Sequence, residues 1–285
     1  MPKLSVTVIT KNEATDIGAA LASVAFADEI IVVDSHSTDE TVAIARQSTD
    51  RVFVRDWAGY IDQKNYAAAQ AANDWILSLD ADERVTPPLA DEIKALLQRE
   101  PAQQAYRIPR VAWHFGRWIR TTDWYPDYQL RLYDRRSAQW TGRYVHEAVT
   151  VRGTVGQLRH ELEHYAYRDI ADHLETMDRY TTYAARQMYE SGRRAGLLQV
   201  AGHPPLAFLR NYIARGGFRD GVAGLTISAM NSYYVFLKFA KLWELQNSEL
   251  RTQNLERTAQ AQERSAKSQE RSATPPERSA KLPER

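Results

Sequence analysis

Asp80, Asp82 and Glu83 stand within four positions, directly after the apolar run WILSL. Two kinds of chemistry suit such a cluster. An acid ahead of a helix caps it, and Asp82 precedes Pro87 and Pro88, residue types that open helices. Crowded carboxylates also suit a divalent cation. Mg²⁺ and Mn²⁺ take oxygen ligands and are commonly shared between one or two carboxylates and phosphate oxygens. An Asp-x-Asp step on a turn offers one carboxylate to the metal and another to a ribose or sugar hydroxyl. Two more polar clusters, TKNE at 10–13 and DSHSTD at 34–39, also follow apolar runs.

The elements that must hold these groups are legible from periodicity. Residues 4–9, 30–33, 51–55 and 75–79 are short, β-branched or apolar runs and read as strands. Residues 13–24, 38–47, 62–72 and 87–98 read as helices. Strands alternating with helices predict an α/β unit with a mostly parallel sheet. Ligands of such sheets bind beyond the carboxyl ends of the strands. The three polar clusters fall at three such ends, and their convergence on one rim favours a binding site over three separate helix caps.

From about residue 101 the character changes to interleaved aromatics and arginines. Between Tyr106 and Tyr144 there are eight arginines against three aspartates, a local balance of 8 − 3 = +5. A long helix is expected over 165–194 and another over 225–245. The 193–219 segment carries five arginines and no acid. ERSA then recurs at 263, 270 and 277, but Pro275, Pro276 and Pro283 forbid a continuous coiled coil. The expected organisation is a catalytic unit at 1–165, with halves 1–100 and 101–165, a helical extension at 166–249, and a disordered low-complexity tail at 250–285.

Composition sets bounds. The 285 residues suffice for one large domain or two small ones, and a net charge of +1 exerts no global pull on nucleic acid. Cysteine is absent, which excludes disulfides, thiolate metal ligands and a cysteine nucleophile. The amino terminus does not read as a signal peptide, and no stretch has the roughly 18–20 apolar residues that span a bilayer.

The series VTVITKNE, DEIIVVDSHSTDET and DQKNYAAAQAANDWILSLDADE resembles the nucleotide-sugar domain of family 2 glycosyltransferases. The likeness continues through WYPDYQLRLYDRR, YVHE and LEHYAYRD. That order is similar to bacterial enzymes of the lipopolysaccharide inner core. The resemblance implies a GT-A fold, a Rossmann-like mixed sheet flanked by helices, with a helical C-terminal extension. It implies a nucleotide-sugar donor, usually a UDP-sugar, and a divalent metal, Mg²⁺ or Mn²⁺. By position in the motifs, Thr10, Glu13 and Asp34 would meet the nucleotide. Lys64 would stand near it, or be a solvated helix lysine. Asp80 would bind ribose or sugar, and Asp82 would ligate the metal.

Inverting transfer needs a carboxylate that deprotonates the acceptor hydroxyl while the nucleotide diphosphate leaves from the opposite face. The family's base usually lies in a downstream Glu-Asp pair, which this chain lacks there. His146-Glu147 stands at a similar place, so Glu147 is the first candidate base and Asp127 the second, with His146 as an orienting group or a packed histidine. Arg131 and Arg135 are candidates for neutralising the leaving diphosphate, or a solvated strand face. His164 fits a late metal ligand, with His160 as its rival. The acceptor is expected to be a lipid-linked or lipopolysaccharide-core glycan. Arginine beside aromatic and aliphatic residues at 193–219 suits peripheral contact with the cytoplasmic face of the cell membrane, or a basic-rimmed helical subdomain. Nucleic acid is not expected as a partner. The alternatives are a nucleotidyltransferase of related fold, disfavoured because TKNEATD has no glycine, and a catalytically inactive sugar-nucleotide-binding scaffold.

Overall fold

The computed structural model describes residues 1–143 and 146–273, and side chains except those of Arg143, His146 and residues 249–273. Strands β1 (Leu4–Thr10), β2 (Glu29–Asp34), β3 (Val52–Val54) and β4 (Trp75–Asp80) alternate with helices α1 (Ile17–Ser23), α2 (Thr41–Ala45) and α3 (Tyr60–Gln70). β1 pairs in parallel with β2 and β4, and β2 with β3. The register sets Thr10 opposite Asp34 and Ile9 opposite Asp80, so three carboxyl ends finish level. This alignment brings the polar clusters to one rim.

The sheet is buried on both faces, as parallel sheets require. Leu4, Val6, Val8, Leu77 and Leu79 pack against Ile17, Leu21, Leu89 and Ile93. Ile31, Val33 and Ile76 face the other way, toward Ala67 of α3 and Ala71 just past its end. The side-chain period of two sorts one strand's residues between the layers.

After β4 the chain makes β5 (Glu83–Val85) before α4 (Pro87–Leu97). Thr86 caps α4, its hydroxyl accepting from the Leu89 amide at 3.4 Å. Asp82 is therefore not the cap. Residues 101–165, which the sequence did not resolve into elements, form β6 (Ala105–His114), β7 (Arg117–Ile119), β8 (Asp127–Asp134), β9 (Ala138–Arg143), β10 (His146–Val151), β11 (Val155–Gln157) and β12 (Leu162–His164). The main sheet runs β3-β2-β1-β4-β8-β6-β12-β5, with β7 and β11 also on β6, and β9-β10 is a separate hairpin. β8 is antiparallel to both β4 and β6, which makes the sheet mixed.

The C-terminal region is helical. α5 (Ile170–Glu190) starts later than expected because Asp169 caps it, accepting from the Asp172 amide at 2.9 Å. α6 (His203–Leu209) lies between two π-helical turns, Leu198–Gly202 and Arg210–Ala214. α7 (Gly221–Ala273) packs Phe239 and Leu242 against Ala185 and Ala195. α7 continues to Ala273, so the helix enters the segment expected to be disordered from residue 250. Residues 250–273 are rich in Ala, Glu, Gln and Arg, good helix formers, and contain no proline. Residues 274–285, with the prolines, lie outside the described residues. Among the described residues no helix is long and apolar enough to cross a membrane.

Candidate active site

Asp80 ends β4 between two cations. Lys64 Nζ lies 3.1 Å from Asp80 Oδ1, and Arg131 reaches Oδ2. Burial opposes ionisation of Asp80, but Arg131, Lys64 and Arg110 outweigh it and hold the carboxyl far below the usual range. Glu83 is fully buried below it and accepts from the Asp80 amide at 3.0 Å, from Arg110 at 2.8 Å and from Arg131 at 2.6 Å. Glu83 is thus a structural anchor of the cluster.

Asp82 faces a different partner. β12 pairs with β5 so that His164 lies opposite Glu83, and the Tyr165 amide donates to the Asp82 carbonyl at 2.9 Å. This register brings His164 Nε2 to 3.1 Å from Asp82 Oδ2. His160, the rival, instead pairs with Glu92 at 2.9 Å, on α4. Among the described residues no group of three or more metal-ligating side chains forms. A carboxylate beside an imidazole still fits a divalent cation whose other ligands are phosphate oxygens and water.

Lys64, expected near the nucleotide, is 4% exposed and lies over the Trp140 ring at 4.3 Å. Its Nζ is also 3.7 Å from Glu147 Oε1. The hairpin that carries Glu147 is held by Asn65, whose side-chain amide donates to the Trp140 carbonyl at 2.9 Å and accepts from its amide at 3.0 Å. Glu147 Oε2 is buried without a hydrogen-bond partner. The other candidate base is occupied. Asp127 Oδ2 accepts from Arg110 at 2.7 and 3.0 Å, and its Oδ1 accepts from Gln129 at 2.7 Å. The His146 side chain lies outside the described residues.

The corner expected to meet the nucleotide holds Thr10, Glu13 and Asp34. Asp34 is fully buried and its two oxygens accept from the Ser37 amide and hydroxyl. It shapes the loop after β2. Thr10 Oγ1 and Gln63 Oε1 are buried without partners, and Gln63 donates to Ser35 at 2.8 Å. Glu13 is raised to about 7, first by burial and then by Asp82 and Asp16.

Two arginines depart from expectation. Arg131 is 3% exposed and spent on Asp80 and Glu83, so it orders carboxylates and is not free to fork onto a phosphate. Arg135 stands at the opposite end of the sheet, because β8 runs antiparallel to β4 and Trp75 pairs with Asp134. Its guanidinium donates to the carbonyls of Ala68 and Ala71 at 3.0 and 2.6 Å, closing the carboxyl end of α3. Arg110, Trp140 and Gln63 stand among the candidate site residues, and sequence reasoning did not single them out. The only prior signal for Arg110 was the local excess of arginine.

The helical extension also reaches the site. Tyr180 of α5 and Tyr60 of α3 perturb one another, and burial raises both phenols, with Glu147 adding to the rise.

The family model for Glycosyl transferase family 2 matches residues 5–156. A Rickettsia felis protein described as an uncharacterized glycosyltransferase is 31% identical over 264 residues, covering 86% of this chain and 90% of its own. The lipopolysaccharide core biosynthesis glycosyltransferase LpsC of Rhizobium meliloti is 30% identical over 253 residues, covering 86% and 94%. Among solved structures, S. aureus TarS 1-349 overlaps 88% of this chain and 92% of that chain at a TM-score of 0.43 and 16% identity. With the level strand ends and the carboxylate rim in place, the match over more than half of the chain shows that this protein belongs to glycosyltransferase family 2 and has its GT-A fold.

Proposed function

We propose that the chain moves a hexose from a UDP-sugar, with inversion, to a lipid-linked glycan of the lipopolysaccharide-core type. The observation that carries the mechanism is the buried, unpartnered Oε2 of Glu147 beside Lys64 and Asp80. A general base needs a free lone pair, and Asp127 has its oxygens engaged by Arg110 and Gln129. Glu147 takes the proton of the acceptor hydroxyl. The acceptor oxygen bonds to the anomeric carbon as the bond to the UDP oxygen breaks on the opposite face. Lys64 orients both Glu147 and Asp80, and Asp80 receives hydroxyls of the donor. Thr10 and Gln63 supply unpartnered polar atoms to the nucleoside. Asp82 and His164 would hold a divalent cation, which when bound offsets charge on the leaving diphosphate. The core-enzyme relative supports the acceptor class. Peripheral contact with the cytoplasmic membrane face follows from such an acceptor.

Calorimetric titration with UDP, GDP and CDP, each with and without Mn²⁺, tests the donor site. UDP binding that needs Mn²⁺ and disappears in Asp82→Ala is the expected result. No binding of any nucleotide sinks the reading. Glu147→Gln should keep donor binding and lower transfer by about 10²–10⁴-fold. A fully active variant moves the base elsewhere. Wild-type binding without transfer to any core glycan would favour an inactive scaffold. Family membership removes the nucleotidyltransferase alternative.

A further inference from the structure

The helical stretch 198–214 is apolar on the wrong side. Its inward positions include Pro204 and Asn211, seven residues apart, and Asn211 is 2% exposed. Its outward stripe is Leu206, Leu209 and Ile213, with 63%, 48% and 60% exposure. Leu197 just before it is 83% exposed, and Val222 just after it 80%. A surface helix ordinarily turns its apolar stripe to the core. Contiguous exposed apolar surface of this kind marks an interaction site.

The charge around the stripe narrows the partner. Arg193, Arg194, Arg210, Arg215 and Arg219 flank it along the chain, and 193–219 contains no Asp or Glu. Arg210 and Arg215 share the single carboxylate of Asp123, at 3.0 and 3.4 Å, so the surface keeps a positive excess. Exposed leucine and isoleucine flanked in sequence by arginine match an anionic bilayer surface, where apolar groups enter the headgroup boundary and arginines meet lipid phosphates. Asn211 is buried within the second π-helical turn, while Leu209 before it and Ile213 in it are exposed.

The stretch is anchored to the acceptor half. Asn211 accepts from the Asp123 amide at 2.8 Å and donates to the Asp123 carboxylate at 3.1 Å. The Thr122 amide donates to the Arg215 carbonyl at 3.1 Å. Residues 122–124 lead within a few positions to Asp127, which Arg110 ties to the Glu83 hub.

We infer that the 197–222 surface is a docking face for an anionic lipid bilayer, lying on the membrane and presenting the acceptor half to lipid-borne glycan. The docking face stands without the donor site; its use for acceptor delivery rests on the transferase reading. The test is co-sedimentation of the full chain with phosphatidylcholine vesicles, with and without phosphatidylglycerol, while Mn²⁺-dependent UDP binding is measured on the same samples. Wild type should sediment with the phosphatidylglycerol vesicles and much less with phosphatidylcholine alone. Leu206→Asn with Ile213→Asn should weaken partitioning by about tenfold or more and leave UDP affinity unchanged. Arg193→Glu with Arg194→Glu and Arg219→Glu should remove the preference for phosphatidylglycerol. Wild type that ignores both vesicles overturns the inference, as does a Leu206→Asn, Ile213→Asn variant that binds like wild type. A lipid-free dimer that this variant dissociates overturns it in favour of a second copy of the chain. Vesicle binding without UDP binding would leave the lipid face standing and sink the donor reading instead.

Discussion

Glu83 has no solvent contact and no free oxygen to offer a ligand, yet it holds the candidate acids in place. Arg131 and Arg110 both donate to it, and it fixes the Asp80 amide. Removing one member of a buried ion cluster leaves uncompensated charge, which costs about 3–5 kcal/mol. Glu83→Ala should therefore destabilise the protein by about that much in urea unfolding, whereas Asp82→Ala should change stability by less than about 1 kcal/mol. Equal effects would mean that Glu83 is not the anchor. Lys64 is the opposite case, an anchor inside the site. Lys64→Met keeps the packing on Trp140 but frees Glu147 and Asp80, so transfer should fall by about tenfold or more while the fold persists. Unchanged transfer by a folded Lys64→Met protein would remove it from the site.

At the scale of elements, α5 is docked through histidines. His114 and His173 are buried with ring centroids 5.3 Å apart, and Tyr167 stacks on His173 at 4.0 Å. Burial, then the neighbouring His114, pushes His173 from 6.5 down to about 4, against a weaker pull from Asp172. Above pH 6.5 neither the folded nor the unfolded chain protonates this ring, so it contributes nothing there. As pH falls from about 6.5 toward 4 the unfolded chain takes the proton first, and stability is lost across that window, by at most about 3 kcal/mol. His173→Phe should blunt this acid loss in urea unfolding followed from neutral to mildly acidic pH. An identical loss in both proteins would clear His173. α3 is held differently, at its carboxyl end by Arg135. Arg135→Ala should cost about 1–2 kcal/mol without changing UDP affinity.

For the whole molecule, the described packing of α7 on α5 ends with Leu245, and the Gln246 side chain bonds the Ala195 backbone at 3.1 and 2.5 Å. A chain cut at residue 250 should therefore fold, bind UDP with Mn²⁺ and melt within a few degrees of the full protein. Loss of the thermal transition on truncation would give the last residues a structural role. A hollow lined by Lys3, Asp28, Glu29, Arg51 and Asn73 opens at the amino-terminal ends of the strands. It lies away from every carboxylate of the rim, beside the Arg51–Glu29 ion pair.

The first hundred residues were legible because local patterns there coincide with the fold. β-branched runs, alternating helices and polar strand ends each carry their own signal, and parallel pairing then lines up Thr10, Asp34 and Asp80. Asp82 was singled out by the acid cluster itself as well as by motif order, whereas Glu147 and His164 rested on motif order alone. Residues 101–165 hid their strands because arginines, exposed or paired with acids, interrupt the apolar alternation there. Only tertiary structure paired His164 with Asp82, through the β12–β5 register, and sent Arg135 to the far end, through the direction of β8. Only it engaged Asp127 and left Glu147 with a free oxygen. The physical reason is the same in each case. Sequence records which groups can be charged, whereas sheet register decides which opposite charges meet and which remain free for chemistry.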